Sequence, residues 1–172
     1  MQNKILNNYN IWFTLIIISI LFFMNDNTFG ENMQEIVLKI KNKEYEAVLY
    51  DNSTTRELIK NFPITITMSD LHENEKYHNF SKRFPTSSEN VGNVNKGDIM
   101  LFGDNCLVIF YKSFSTHYRY TKLGYIKNFG DLENSLGKGD INITFVILIN
   151  QTFKKNFDFV SRFFRSIQKF IA

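Results

Sequence analysis

Apolar and polar residues alternate from Glu35 to Ile40 and again from Glu44 to Tyr50, on either side of the polar Asn42. A period of two belongs to a strand that buries one face, so this pair predicts an opening hairpin. The same alternation returns at Ile64 to Met68, and the rest of the chain is organised around Lys96 to Ile126, KGDIMLFGDNCLVIFYKSFSTHYRYTKLGYI, whose first two strands read as buried. There the apolar runs Ile99 to Phe102 and Cys106 to Tyr111 flank Gly103-Asp104-Asn105, the pattern of a hairpin with a three-residue loop. Tyr118 to Ile126 follows as a third strand, with Tyr118 and Tyr120 on one face and Arg119 and Thr121 on the other. A last strand is predicted from Ile141 to Ile149.

Helical signals interrupt this period twice. Asp51 to Thr54 supply N-cap candidates, and Thr54 and Glu57 have the spacing of a capping box ahead of Leu58, Ile59 and Phe62, which predicts a short helix ending near Asn61, before Pro63. Asp131 to Leu136 suits one or two further turns, followed by the flexible Gly137 to Asp140. About seven strands and two short helices define a mostly β fold. Closing the antiparallel strands into a barrel removes the edges they would otherwise expose.

Both ends of the chain read differently. Ile11 to Phe23 is an apolar run after a polar start bearing only Lys4, and it is shorter than the roughly 20 residues of a membrane span. Residues 1–30 therefore read as a signal peptide, with Thr28 and Gly30 at the cleavage positions, or as an uncleaved N-terminal anchor. Either reading exports the domain at 33–150. At the other end, within 152–172, Phe153, Phe157, Val160, Phe164, Ile167 and Ile171 recur at helical spacing, with Lys154, Lys155, Arg162, Arg165 and Lys169 mainly elsewhere around the helix. This is a basic amphipathic helix, suited equally to an anionic membrane surface and to packing on the barrel or on a second subunit.

Composition narrows the chemistry. A net charge of +3 with no long basic block argues against nucleic acid as a partner. Cys106 is the sole cysteine, so intrachain disulfides and thiolate clusters are excluded, and its place in an apolar strand predicts a buried small hydrophobe. The polar stretch Ser69 to Asn95 reads as a long surface excursion. Within it HENEKYH sets His72 and His78 six apart, whereas a two-histidine zinc helix needs four, so both read as solvated loop histidines and neither a metal nor a cofactor is expected.

YDNSTTRELIKNFPITITMSD, NEKYHNF and GDIMLFGDNCLVIFYKSFSTHYRYTKLGYI, in that order, resemble a bacterial family of cyclophilin-like domains over about Met33 to Ile149. The resemblance implies a closed antiparallel cyclophilin-type barrel with short helices at its ends. Prolyl isomerases of that fold surround a proline pocket with an arginine, a glutamine, a tryptophan, a histidine and phenylalanines. Matched on Leu123 to Ile126 and on Gly103 to Asn105, the histidine position falls near Tyr120 and the glutamine and phenylalanine positions near Cys106 and Val108. The only tryptophan is Trp12, and Arg83 and Arg119 are the arginine candidates. An isomerase must lower a barrier of about 18–20 kcal/mol, and these positions lack the family's catalytic side chains. Binding of a peptide or small ligand without strong catalysis is the favoured function. A divergent isomerase and a membrane-associated accessory protein acting through its C-terminal helix are the alternatives.

Met68, Met100, Phe102, Phe110, Phe114, Tyr118 and Tyr120 either fill the barrel or line a groove. The ligand-contact candidates are Phe114, His117, Tyr118, Arg119 and Tyr120, where aromatic and polar groups meet at a loop rim.

Overall fold

The computed structural model describes residues 33–148 together with Ser161, Arg162 and Arg165. The expected signal or anchor segment lies outside the described residues, as does most of the expected C-terminal helix, of which Ser161, Arg162 and Arg165 are helical. Among the described residues no helix is long and apolar enough to cross a membrane.

The chain runs β1 (Gln34–Ile40), β2 (Lys43–Leu49), α1 (Ser53–Ile59), β3 (Ile64–Leu71), β4 (Glu75–Asn79), β5 (Glu89–Asn90), β6 (Asn93–Val94), β7 (Asp98–Phe102), β8 (Cys106–Phe110), β9 (Phe114–Ser115), β10 (Arg119–Ile126), α2 (Leu132–Leu136) and β11 (Ile141–Ile147). Strands pair in the order β2-β1-β11-β3-β4-β8-β7-β10, and β10 pairs back onto β2. The result is a closed barrel of eight antiparallel strands, as expected. β5 adds to β10 at Arg119 and Tyr120, and β6 with β9 forms a separate ribbon.

Alternation sorts the side chains into two layers. Inward positions such as Leu38, Met68, Ile99, Ile109, Leu123 and Phe145 form the barrel core, joined by Leu58 of α1 and by Leu132 and Leu136 of α2. Outward positions on β7, β8 and β10 build a second apolar cluster, described below. Hydrogen bonds tie the helices down: the Tyr45 hydroxyl donates to Ser135 Oγ at 2.5 Å, and the Thr54 hydroxyl to the Pro85 carbonyl at 2.5 Å.

Two details differ from the sequence expectation. The capping box of α1 is made by Asn52 and Thr55: Asn52 Oδ1 accepts from the Thr55 amide at 2.9 Å, and Thr55 Oγ1 accepts from the Asn52 amide at 3.1 Å. Thr54 is committed to Pro85 and Glu57 to Lys60 and Lys82, so neither serves as a cap. The stretch Ser69 to Asn95 is also not a simple surface excursion, because it contains the barrel strand β4, paired to β3 and β8. Polar residues fit there because the inward Lys76 is fully buried against partners: its Nζ lies 2.8 Å from Asp70 Oδ1 and donates to the Gly139 carbonyl at 2.7 Å. His78 accordingly sits in β4, with Nδ1 2.8 Å from the Thr67 carbonyl oxygen, while the exposed His72 lies in the turn before β4.

Candidate functional site

On the outer face of β4, β8, β7 and β10, alternation sets Tyr77 beside Val108, with Cys106 and Phe110 along the same strand and Met100 and Tyr120 beyond. The ribbon of β6 and β9 pairs Val94 with Phe114 and adds both side chains to the cluster. Val94, Met100, Val108, Phe110 and Tyr120 are buried, and Tyr77, Val91, Cys106 and Phe114 pack against them half-exposed. Such an apolar cluster outside a barrel core is unusual, because this face would otherwise be wetted.

Ring contacts run through the cluster to its edge. Phe110 lies 5.5 Å from Tyr120 and 5.7 Å from Phe114, measured between ring centres. Phe102 lies 5.6 Å from Tyr120 and 5.7 Å from Tyr118. These edge-to-face and tilted pairs fix the rings relative to one another. The last two residues form an open rim, with Phe102 43% and Tyr118 65% exposed. Beside the cluster, sharing Val91 and Met100 with it, is a cleft of about 470 Å³ also lined by Tyr50, Asn93, Asp98 and Lys122.

Glu75 is the chemically unusual member of this face. It opposes Phe110 in the β4–β8 register and is only 8% exposed, yet its carboxylate has no hydrogen-bond or ion-pair partner among the described residues. Burial raises its pKa to about 7. Burial and then the Glu75 charge push the Cys106 thiol up to about 11, and the same two causes push the Tyr120 hydroxyl up to about 12, which places the carboxylate in the field of both. Cys106 is thus held as an unreactive thiol. Among the described residues no group of three or more His, Cys, Asp or Glu side chains is placed to hold a metal ion.

A stability measurement follows from Glu75. A folded-state pKa above the ordinary 4.5 penalises the folded state as pH rises between the two values, and the full penalty is present above about pH 7. At about 1.4 kcal/mol per unit the upper bound is about 3 kcal/mol, reduced to about 2 by the carboxyl's residual contact with water. Urea denaturation should therefore find Glu75→Gln more stable than the parent by about 2 kcal/mol at pH 8 and equal to it at pH 4. An equal difference at both pH values would contradict the assignment.

Of the residues singled out from sequence, the structure brings Phe114, Tyr118 and Tyr120 together here with Met100, Phe102 and Phe110, while Met68 belongs to the barrel core. His117 is exposed between β9 and β10, and Arg119 turns away to donate to the Ser88 carbonyl at 2.6 Å. Glu75 and Tyr77 join the site without having been expected. Their only sequence signal is the alternation Glu75, Tyr77, which the intervening Lys76 disguises as a solvated run.

The model of the cyclophilin-like family matches residues 38–146, which is most of the barrel. The chain belongs to the cyclophilin-like family. Among solved structures, this cyclophilin-like barrel is similar to the solution structure of a hypothetical protein from Archaeoglobus fulgidus, with 15% identity, coverage of 70% of this chain and 99% of that chain, and a TM-score of 0.49. No curated protein matches the sequence. Tyr120, Cys106 and Val108, the positions near which the family resemblance sets the isomerase histidine, glutamine and phenylalanine, all face the outer cluster of this cyclophilin-like domain.

Proposed function

We propose that this is an exported cyclophilin-like domain that binds a peptide or small ligand on the outer face of its barrel, without strong catalysis. The observation that carries the reading is the aromatic rim: Phe102 and Tyr118 stay exposed although they stack on a buried cluster beside a cleft. Exposed aromatic surface on a cluster that shares Val91 and Met100 with a cleft is what a ligand site offers. Catalysis of X-Pro rotation needs a donor aimed at the twisted amide. Here Cys106 and Val108 supply none of useful strength, Tyr120 is buried in the cluster, and Arg119 donates to the Ser88 carbonyl.

The test is calorimetric titration of the full chain with a panel of aromatic and proline-containing peptides. Phe102→Ala and Tyr118→Ala should each weaken binding by about 5- to 20-fold, the effect of removing an aromatic contact. The melting temperature should stay near the parent's for Tyr118→Ala, whose residue is 65% exposed, and fall modestly for Phe102→Ala, which is 43% exposed and packs on Tyr120. Unchanged affinity in both variants would overturn the rim assignment, and prolyl isomerisation well above the buffer rate would overturn the claim of weak catalysis.

A further inference from the structure

Buried charge is paired elsewhere in this barrel. Lys76 has Asp70 and the Gly139 carbonyl, and Asp70 also accepts from the Tyr111 hydroxyl at 2.5 Å. Glu75, one residue from Lys76 but on the opposite face of β4, has no such partner among the described residues, although only 8% of it is exposed. Its neighbours are rings, a thiol and a hydroxyl: Tyr77 on β4, Phe110 and Cys106 on β8, and Tyr120 on β10. These supply no positive charge. Aromatic faces are electron-rich, so they attract cations as the carboxylate does. An anionic ligand would be repelled here, and a neutral one without a hydrogen-bond donor would displace water from the carboxylate and leave it unpaired. A cationic group satisfies both features together.

Building on the outer-face binding reading, we propose that the ligand carries a cationic side chain, the ammonium or guanidinium of a lysine- or arginine-containing peptide, which pairs with the Glu75 carboxylate among the rings of Tyr77, Phe110 and Tyr120. The half-exposed Tyr77, Cys106 and Phe114 form the solvent side of this arrangement, and Phe102 with Tyr118 receives the neighbouring apolar residue of the peptide.

The test is titration of the full chain at pH 8 with two probes, acetyl-Gly-Lys-Phe-amide and the same peptide with norleucine for lysine, which keeps the alkyl stem and removes the charge. The lysine peptide should bind at least tenfold more tightly. In Glu75→Gln, which keeps size and removes charge, the two affinities should converge while that of the norleucine peptide is unchanged. A second arm needs no variant of Glu75. Lowering the pH from 8 to 5.5 protonates Glu75 and should abolish the lysine preference of the parent, whereas Cys106 and Tyr120, which face it, do not titrate in that window. His117→Gln should show the same pH response, excluding the exposed histidine of the adjacent segment as its source. Equal binding of both probes, or a lysine preference that survives Glu75→Gln or pH 5.5, would overturn the cation assignment and leave the outer-face reading standing. Binding of neither probe at millimolar concentration would overturn both.

Discussion

Gly124→Ala should prevent the barrel from closing, with a loss of about 3 kcal/mol or more in urea denaturation, near the upper end for inserting a single methyl group. The seam between β10 and β2 consists of the pairs Gly124 with Leu49, Tyr125 with Val48 and Ile126 with Ala47, continued by the Tyr50 amide donating to the Leu123 carbonyl at 2.8 Å. A Cβ on Gly124 would stand 2.0 Å from the Val48 carbonyl oxygen and 2.9 Å from Leu49 Cα. Both are backbone atoms of the partner strand, so no side chain can rotate away, and the strands must separate. The irregularity in the β7–β10 register between Lys122 and Gly124 leaves Leu123 in the core and brings Gly124 against β2. A glycine in a strand at such a close approach is required by space. Gly124→Ala with parental stability would contradict the seam.

Lys76→Ala should cost about 3–5 kcal/mol, because it strands a carboxylate that burial alone would disfavour. Burial works against the charged form of Asp70, but the hydrogen bonds from Lys76 and Tyr111 outweigh it and hold the Asp70 pKa below its ordinary value. Removing the ammonium leaves Tyr111 and the Glu73 amide as the remaining donors to Asp70. The pair contributes little beyond its own mutual compensation, so Lys76→Met combined with Asp70→Asn should recover most of the loss. A double-mutant cycle read by urea denaturation separates these outcomes. A double variant as unstable as Lys76→Ala would show that the barrel needs the charges themselves.

β1, β2 and β10 were legible in the sequence from their alternation, and β7 and β8 as apolar runs that bury both faces, with the hairpins following from the polar turns between them. β4 was hidden by a single residue. An inward lysine reads as solvated until its partner is known, and Asp70 and the Gly139 carbonyl are supplied by pairing and by a loop 63 residues away. β5, β6 and β9 have two residues each, too few to show any period. The same physics governs the site. Phe114, Tyr118 and Tyr120 stood out as aromatics at a loop rim. Glu75 did not, since a carboxylate in HENEKYH looks hydrated and only the β4–β8 register puts it opposite Phe110. Asn52 displaced Thr54 as the helix cap for a comparable reason: neighbouring residues could both serve, and the distant Pro85 carbonyl engaged one of them.

The most direct test of the outer face as the ligand surface is amide chemical-shift mapping on the isotope-labelled full chain during titration with aromatic and proline-containing peptides. Saturable shifts should centre on Tyr77, Met100, Cys106, Val108, Phe114 and Tyr120 and fade toward β1 and β11, which lie across the barrel. Shifts centred on β1, β11 or the segment 152–172, with β4, β8, β7 and β10 unmoved, would contradict it.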